Sequence, residues 1–417
     1  MMSNQHIDYE YLLENPKEIF RKLFDFNDII VNVKLNNNDY VIESIQYDFK
    51  KSITKKANID IIKKNIDNMN ENFLKNSNFE EIRLFETLKS LFTLINENTP
   101  NHETYFRGQR DDWIIKPNIF RGDIDKDFIR DYESIYYELS TLFPDEIDYV
   151  DIKNIKDKND NTSYIKRANQ LALLQHYGFR TTLIDITSNP FVAMLFMCAT
   201  QVSSLRNGVI DIFLIDKEKD KNFNSIFIKT NESKNNKRLK AQSGAFFCYD
   251  KVLQLAFKDI EPINSIRIKL NFKYDTPKIL IDSKKNPIAT LEYFESMEKK
   301  LNTFISELKK RLTEGTYDDK KITKKDMKLV EKYKLNLQFG ESYDKLFTII
   351  KNTYNEQRMN VFLSEKENFI KGIEKIRIEL LSTLKEYYYL EEKLYPDLYN
   401  QTNFIIKKYL SNSRKSI

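Results

Sequence analysis

The sequence predicts an α+β protein, a small mixed sheet with flanking helices and an inserted helical hairpin late in the chain. Three patterns predict it. Stretches that alternate apolar and polar residues recur at 29–49 and from 103 onward, and amphipathic stretches of helical period separate them. Five of the eight glycines, Gly108, Gly122, Gly178, Gly208 and Gly244, fall between 108 and 244. Glycine marks positive φ or close backbone approach, so the middle of the chain is its conformationally demanding part.

In order, 9–26 (YEYLLENPKEIFRKLFDF) reads as helix and 29–49 as a β-hairpin turning at 36–39, while 50–76 is polar and weakly helical. Over 79–96, Ile82, Phe85, Leu88, Leu91 and Leu94 form one apolar stripe on a charged helix. A strand at 103–109 ends in a glycine turn, and an extended stretch then leads into a helix over 126–143. Next come a helix at 164–177, a strand at 181–186, a helix at 190–200 with Pro190 in its first turn, and a strand at 207–215. SGAFFCYD, SIRIKLNF and PKILID are strand-like. Leu291, Phe294, Met297, Leu301, Phe304, Leu308 and Leu312 then repeat by threes and fours, as do Ile370, Ile373, Ile376, Leu380, Leu384 and Tyr387, predicting two long helices. The domains expected are an N-terminal α/β extension at 1–78, a central domain at 79–285, the hairpin at 286–387, and a return to the central domain at 388–417.

Composition narrows the function classes. Lys+Arg of 67 against Asp+Glu of 62 leaves +5, with the basic residues scattered among acids, which argues against nucleic acid as partner. The two cysteines, Cys198 and Cys248, sit in apolar stretches and suggest neither a metal nor a disulfide framework. A polar N-terminus and the lack of a long apolar run predict a cytoplasmic protein that does not span a membrane.

Three segments carry the candidate site. In Tyr105-Phe106-Arg107-Gly108-Gln109, strand alternation points Arg107 and Gln109 to one face and Phe106 to the other, with Trp113 close behind. Arg107 suits bidentate capture of phosphate or carboxylate, and Gly108 admits a ligand or a second backbone. The alternative is a structural arginine paired with Asp185 or Glu133. In the second segment, QLALLQHYGFRTTLIDITSNP, a helix end brings Gln175, His176 and Tyr177 to the mouth at which a strand delivers Asp185, Thr187, Ser188 and Asn189. His176 has the intrinsic pKa for acid/base work. Asp185, between Ile184 and Ile186, is costly unless it is paired with Arg107 or Arg180 or does chemistry. Third, Gln242 and Gly244 share a face if AQSGAFF is a strand, presenting an amide beside bare backbone.

The ordered set FRGQ, Trp113, LALLQHYG, LIDITSNPFVAMLF, AQSGAFF and LYPDL resembles the FRG domain, a family named for its Phe-Arg-Gly motif, over 80–285 and 388–410. Ile186 stands where that family places an aromatic. The resemblance implies a bacterial or phage protein with a role in phage defence, but no reaction. The order of the elements is also similar to that in ADP-ribosyltransferases. That likeness implies NAD as cofactor, with Arg107 on a phosphate or ribose, Thr187 and Ser188 supporting a nicotinamide pocket, aromatic walls from Tyr105, Trp113, Tyr177 or Phe246, and transferase or NAD glycohydrolase activity. Gln242 stands where a catalytic glutamate is usual, and the catalytic candidates are Asp185, His176 and Gln242. The expected ligand set is Arg107, Gly108, Gln109, Trp113, Gln175, Tyr177, Thr187 and Asn189. The expected partners are a nucleotide or a phage-derived protein, with the helical arm serving a homo-oligomer or a second protein. The alternative to an enzyme is a non-catalytic sensor or interaction module.

Overall fold

The computed structural model describes residues 8–36, 39–50, 52–53, 57–75, 83–122, 124–155, 161–198, 207–216, 225–229, 241–254, 261–274, 356–394 and, singly, 303, 306, 402 and 406. Two compact units divide the chain. The first comprises Met1–Asn32, Ile42–Asn271 and Arg377–Ile417, the second Val33–Val41 and Phe272–Ile376. Apart from positions 303 and 306, the first arm of the expected hairpin, 291–312, lies outside the described residues, as do the PKILID strand and LYPDL beyond Leu394.

The N-terminal helical stretch is two helices, α1 (Tyr9–Glu14) and α2 (Pro16–Leu23). Pro16 cannot donate within a continuing helix and instead opens the next one at its first position. The hairpin follows as β1 (Phe24–Asn36) and β2 (Asp39–Asp48), then α3 (Ile59–Lys75), α4 (Leu84–Glu97) and β3 (His102–Gln109). The helix expected over 126–143 breaks at Asp131 into α5 (Lys126–Arg130) and α6 (Tyr132–Leu142). Next come α7 (Asn161–His176), β4 (Leu183–Thr187), α8 (Pro190–Cys198), β5 (Val209–Asp216), β6 (Phe227–Ile228), β7 (Gly244–Cys248), α9 (Asp250–Gln254) and β8 (Ile263–Tyr274). The described chain ends with the long α10 (Glu356–Glu386) and α11 (Glu391–Leu394).

All eight strands share one sheet in the order β2-β1-β8-β5-β3-β4-β7-β6, so the N-terminal hairpin extends the central sheet. β5 is buried along Val209 to Ile215, and its sequence reads accordingly as an apolar run interrupted only by Asp211. Phe24 of β1, Phe213 of β5 and Phe247 of β7 meet with ring centroids 4.7 to 5.5 Å apart and fill the centre of one face. On the other, α4 brings Phe92 edge-on to Phe106 at 5.7 Å.

The buried stripe of α10 is Phe369, Ile373, Ile376, Leu380 and Leu384. Ile370 and Tyr387, expected in it, are exposed: Phe369 takes the buried position beside Ile370, and Tyr387 lies beyond the helix end at Glu386. Within the second unit, α10 sets Gly372 against Leu35, where an added Cβ would lie 3.3 Å from Leu35 Cδ1. No helix of the described residues is long and apolar enough to cross a membrane.

Candidate functional site

The site begins where the sheet parts. β3 pairs with β5 at every residue, from His102↔Asp216 to Gln109↔Val209, but with β4 only at Phe106↔Thr187. A continued antiparallel register would set Gly108 opposite Asp185. There the ladder is replaced by a side chain, since Arg107 Nη1 donates to the Asp185 carbonyl at 2.7 Å. On the opposite face α8 presses its backbone onto Gly108. A Cβ at Gly108 would stand 1.8 Å from the Ala193 carbonyl oxygen and 2.9 Å from Met197 N. Gly108 therefore serves helix–strand approach rather than ligand access.

Arg107 makes that one hydrogen bond, and its buried Nε has no partner among the described residues. Burial pushes its pKa down, against the opposing pull of Asp185, Asp211 and the Tyr249 phenol. Asp211, directly across in β5, cannot serve as its carboxylate partner because Arg267 of β8 already holds it. Arg267 Nε and Nη2 reach Asp211 at 2.5 and 3.2 Å, and its Nη1 reaches Asp112 at 2.9 Å. Glu133, the other partner considered for Arg107, is likewise taken, by Arg167. The Nε and Nη2 edge, the geometry suited to a planar or phosphoryl anion, is left without a protein acceptor among the described residues.

Asp185 is half-buried and carries its second group toward α7. Gln175 Nε2 donates to Asp185 Oδ2 at 2.6 Å, and Gln175 Oε1 accepts from the Thr181 hydroxyl at 2.5 Å. Thr181 is in turn fixed by Asn118 Oδ1, which accepts its backbone N–H at 2.7 Å. The amide of Gln175 is thus oriented from behind, and its N–H₂ faces the carboxylate. α7 ends one residue later, with Gly178 at φ +90, as a left-handed helix terminus requires. His176 is half-buried and edge-on to Tyr177 at 5.4 Å, and Tyr177 is exposed. Gln109 turns away to donate to the Trp113 carbonyl at 3.0 Å, while the Trp113 ring lies exposed beneath the Arg110 guanidinium, 5.0 Å from its centroid.

The remaining expected residues gather at the far end of β4, and each has a partner within the chain. Thr187 Oγ1 donates to the Gln242 carbonyl at 2.6 Å and accepts from Asn189 N at 3.0 Å. Asn189 Oδ1 caps α8 by accepting from Phe191 N at 2.9 Å, and its Nδ2 donates to the Tyr389 hydroxyl at 3.0 Å. Gln242 is not on a strand face: β7 starts two residues later, after Ser243 at φ 48. A residue in that left-handed conformation breaks strand alternation, so Gln242 and Gly244 do not share a face. The Gln242 side chain is buried, and its Nε2 donates to the Leu394 carbonyl at 3.1 Å.

Residues 102–205 match the family model of the FRG domain. The chain carries an FRG domain. Its match opens at the first residue of β3 and includes β4, α7 and α8, so Arg107, Gln175 and Asp185 all lie within the FRG domain while Gln242 lies outside it. No curated protein and no solved structure matches the chain. Among the described residues no group of three or more His, Cys, Asp or Glu could hold a metal ion.

Two features near the site escaped sequence reasoning. Tyr249, whose phenol lies close enough to Arg107 to influence it, donates to the Ile115 carbonyl at 3.1 Å, and burial pushes its pKa up. Arg167, fully buried in α7, binds Asp250 at 2.6 Å, Glu133 at 2.5 Å and the Val150 carbonyl at 2.6 Å, and Tyr9 donates to both carboxylates. This hub is a structural ion network, with each charge matched by a hydrogen-bonded partner.

Proposed function

We propose that the FRG domain binds a small anionic, nucleotide-like ligand at the parting of β3 and β4, with Arg107 as its anchor and Asp185, oriented by Gln175, as the second polar contact. The observation that carries this reading is the Arg107 guanidinium. It is partly buried, its enclosed Nε has no partner among the described residues, its one hydrogen bond runs to a neutral carbonyl, and the neighbouring carboxylate of Asp211 is held by Arg267. A partly desolvated cation without a bound counter-charge is costly to fold around, and an anion on its unpartnered edge would recover part of that cost. NAD is the nucleotide we favour, on the order of elements shared with ADP-ribosyltransferases. With the FRG family resemblance, it suits an effector of the phage-defence or toxin type in a bacterial cytoplasm. His176 and Asp185 are the acid/base candidates.

A specific observation favours a second reading, a non-catalytic sensor. Gln242, which would stand in for the catalytic glutamate, is buried with its amide on Leu394, and Thr187 and Asn189 are occupied by structural bonds. One experiment separates the two. Full-length protein with NAD should show a raised melting temperature that is lost in Arg107→Gln. Release of nicotinamide that disappears in both Arg107→Gln and Asp185→Asn identifies an enzyme, and a thermal shift without release identifies a sensor. No shift with NAD, pyrophosphate or other nucleotides would remove the nucleotide reading.

A further inference from the structure

Arg107 and Asp185 are unlike partners for a ligand, and their pairing restricts its chemistry further. The same residue, Asp185, engages the guanidinium through its backbone carbonyl and presents a carboxylate one side-chain length away. Of that carboxylate, Oδ2 accepts from Gln175 Nε2, and Oδ1 has no hydrogen-bond partner among the described residues. An ionised carboxylate only accepts, so whatever meets Oδ1 must donate a hydrogen. Whatever meets the Nε and Nη2 edge of Arg107 must accept, and is best anionic. A bare phosphate satisfies the arginine but sets its negative charge near that of Asp185, an element of discrimination built into the site. A ligand satisfies both only if it carries an anion and, a few bonds away, a hydroxyl.

Resting on the anion-site reading above, we infer that the FRG domain of this chain recognises a phosphorylated sugar unit, with the phosphoryl group on Arg107 and a sugar hydroxyl donating to Asp185 Oδ1. Gln175 is then a positioning residue. Its amide, fixed by Thr181, keeps Oδ2 occupied and leaves Oδ1 for the ligand. Ribose 5-phosphate is a probe with both groups, and methyl phosphate has the phosphoryl group without a sugar hydroxyl.

The test is calorimetric titration of the full chain with these two probes. The parent should bind ribose 5-phosphate about tenfold more tightly than methyl phosphate, the ratio expected for one hydrogen bond to a charged acceptor. Asp185→Asn keeps an oxygen for Gln175 but offers the ligand a donor instead of an acceptor. It should bring the two affinities within about twofold while binding methyl phosphate at least as well as the parent, which also reports that the variant is folded. Arg107→Gln should lose both. Equal affinities in the parent, or a sugar preference that survives Asp185→Asn, would overturn the hydroxyl contact and leave the anion site standing. Absence of binding by either probe to the parent would overturn both.

Discussion

A single missing Cβ sets the geometry of the site. Gly108 lies under the backbone of α8, and the atoms a methyl group would strike are main-chain atoms that cannot rotate aside. Gly108→Ala is therefore expected to destabilise the protein by about 3 kcal/mol or more, at the upper end of overpacking costs, whereas Gly122→Ala, with nothing within 4 Å of the added methyl, should stay within about 0.5 kcal/mol of the parent. Urea unfolding of the two variants makes the comparison, and equal stabilities would show that α8 can lift from the strand. At this scale the sequence was partly legible. Glycine scarcity pointed to Gly108, and residue type pointed to Arg107 and Asp185, but the contact between them runs to a carbonyl rather than a carboxylate. Arg167 gave no signal. It sits among the polar residues KRANQ of α7, and its partners Glu133, Asp250 and Tyr9 lie 34, 83 and 158 positions away, beyond any local pattern.

Helices and strands were legible where periodicity is strong and misread where one residue interrupts it. Pro16 and Asp131 each divide a helix that apolar spacing alone would continue, and Ser243 starts β7 later than the alternation of AQSGAFF suggests. The start of α8 follows the ordinary rule of an amide cap before a proline, which recasts Asn189 from ligand contact to helix cap. Asn189→Ala should cost about 1 kcal/mol of stability through the lost cap. Asn189→Asp retains the capping oxygen and loses only the donation to Tyr389, so its cost should be the smaller of the two. Thermal melts of both variants decide the matter, and an aspartate variant as unstable as the alanine one would place the main contribution at Tyr389. The stripe of α10 shows the same limit in milder form. Its period was right, but Phe369 rather than Ile370 occupies the buried position, since two adjacent apolar residues leave the helix face ambiguous by 100°.

Across the molecule, the property that sequence could not supply is which strands part. Strand order depends on long-range pairing, and nothing in HETYFRGQ or LIDIT indicates that β3 is fully paired to β5 and almost unpaired from β4. The ion hub that fixes α1, α6, α7 and α9 to one another is equally non-local, and it carries a pH signature. Burial, and next to it the charge of Asp250, push Tyr9 and Tyr132 well above the ordinary phenol value of 10.0. Burial raises Tyr136 to about 12 although Arg167 pulls it back, and Tyr149 rises through burial and Glu133. A phenol with a raised folded pKa keeps its proton in the native state after the unfolded chain has released it, so the unfolded state binds fewer protons above pH 10 and stability falls as pH rises. The contribution is intact below about pH 10 and is lost progressively toward the folded values, about 12 for Tyr136. Denaturant midpoints should therefore hold steady through the neutral range and drop steeply above about pH 10. Phenolate absorbance from the buried rings around Arg167 should rise only in a late step that coincides with loss of helical circular dichroism. Complete tyrosine ionisation in one step near pH 10 with the fold intact would mean that the rings around Arg167 are open to solvent, and that the hub does not hold the N-terminal helix in place.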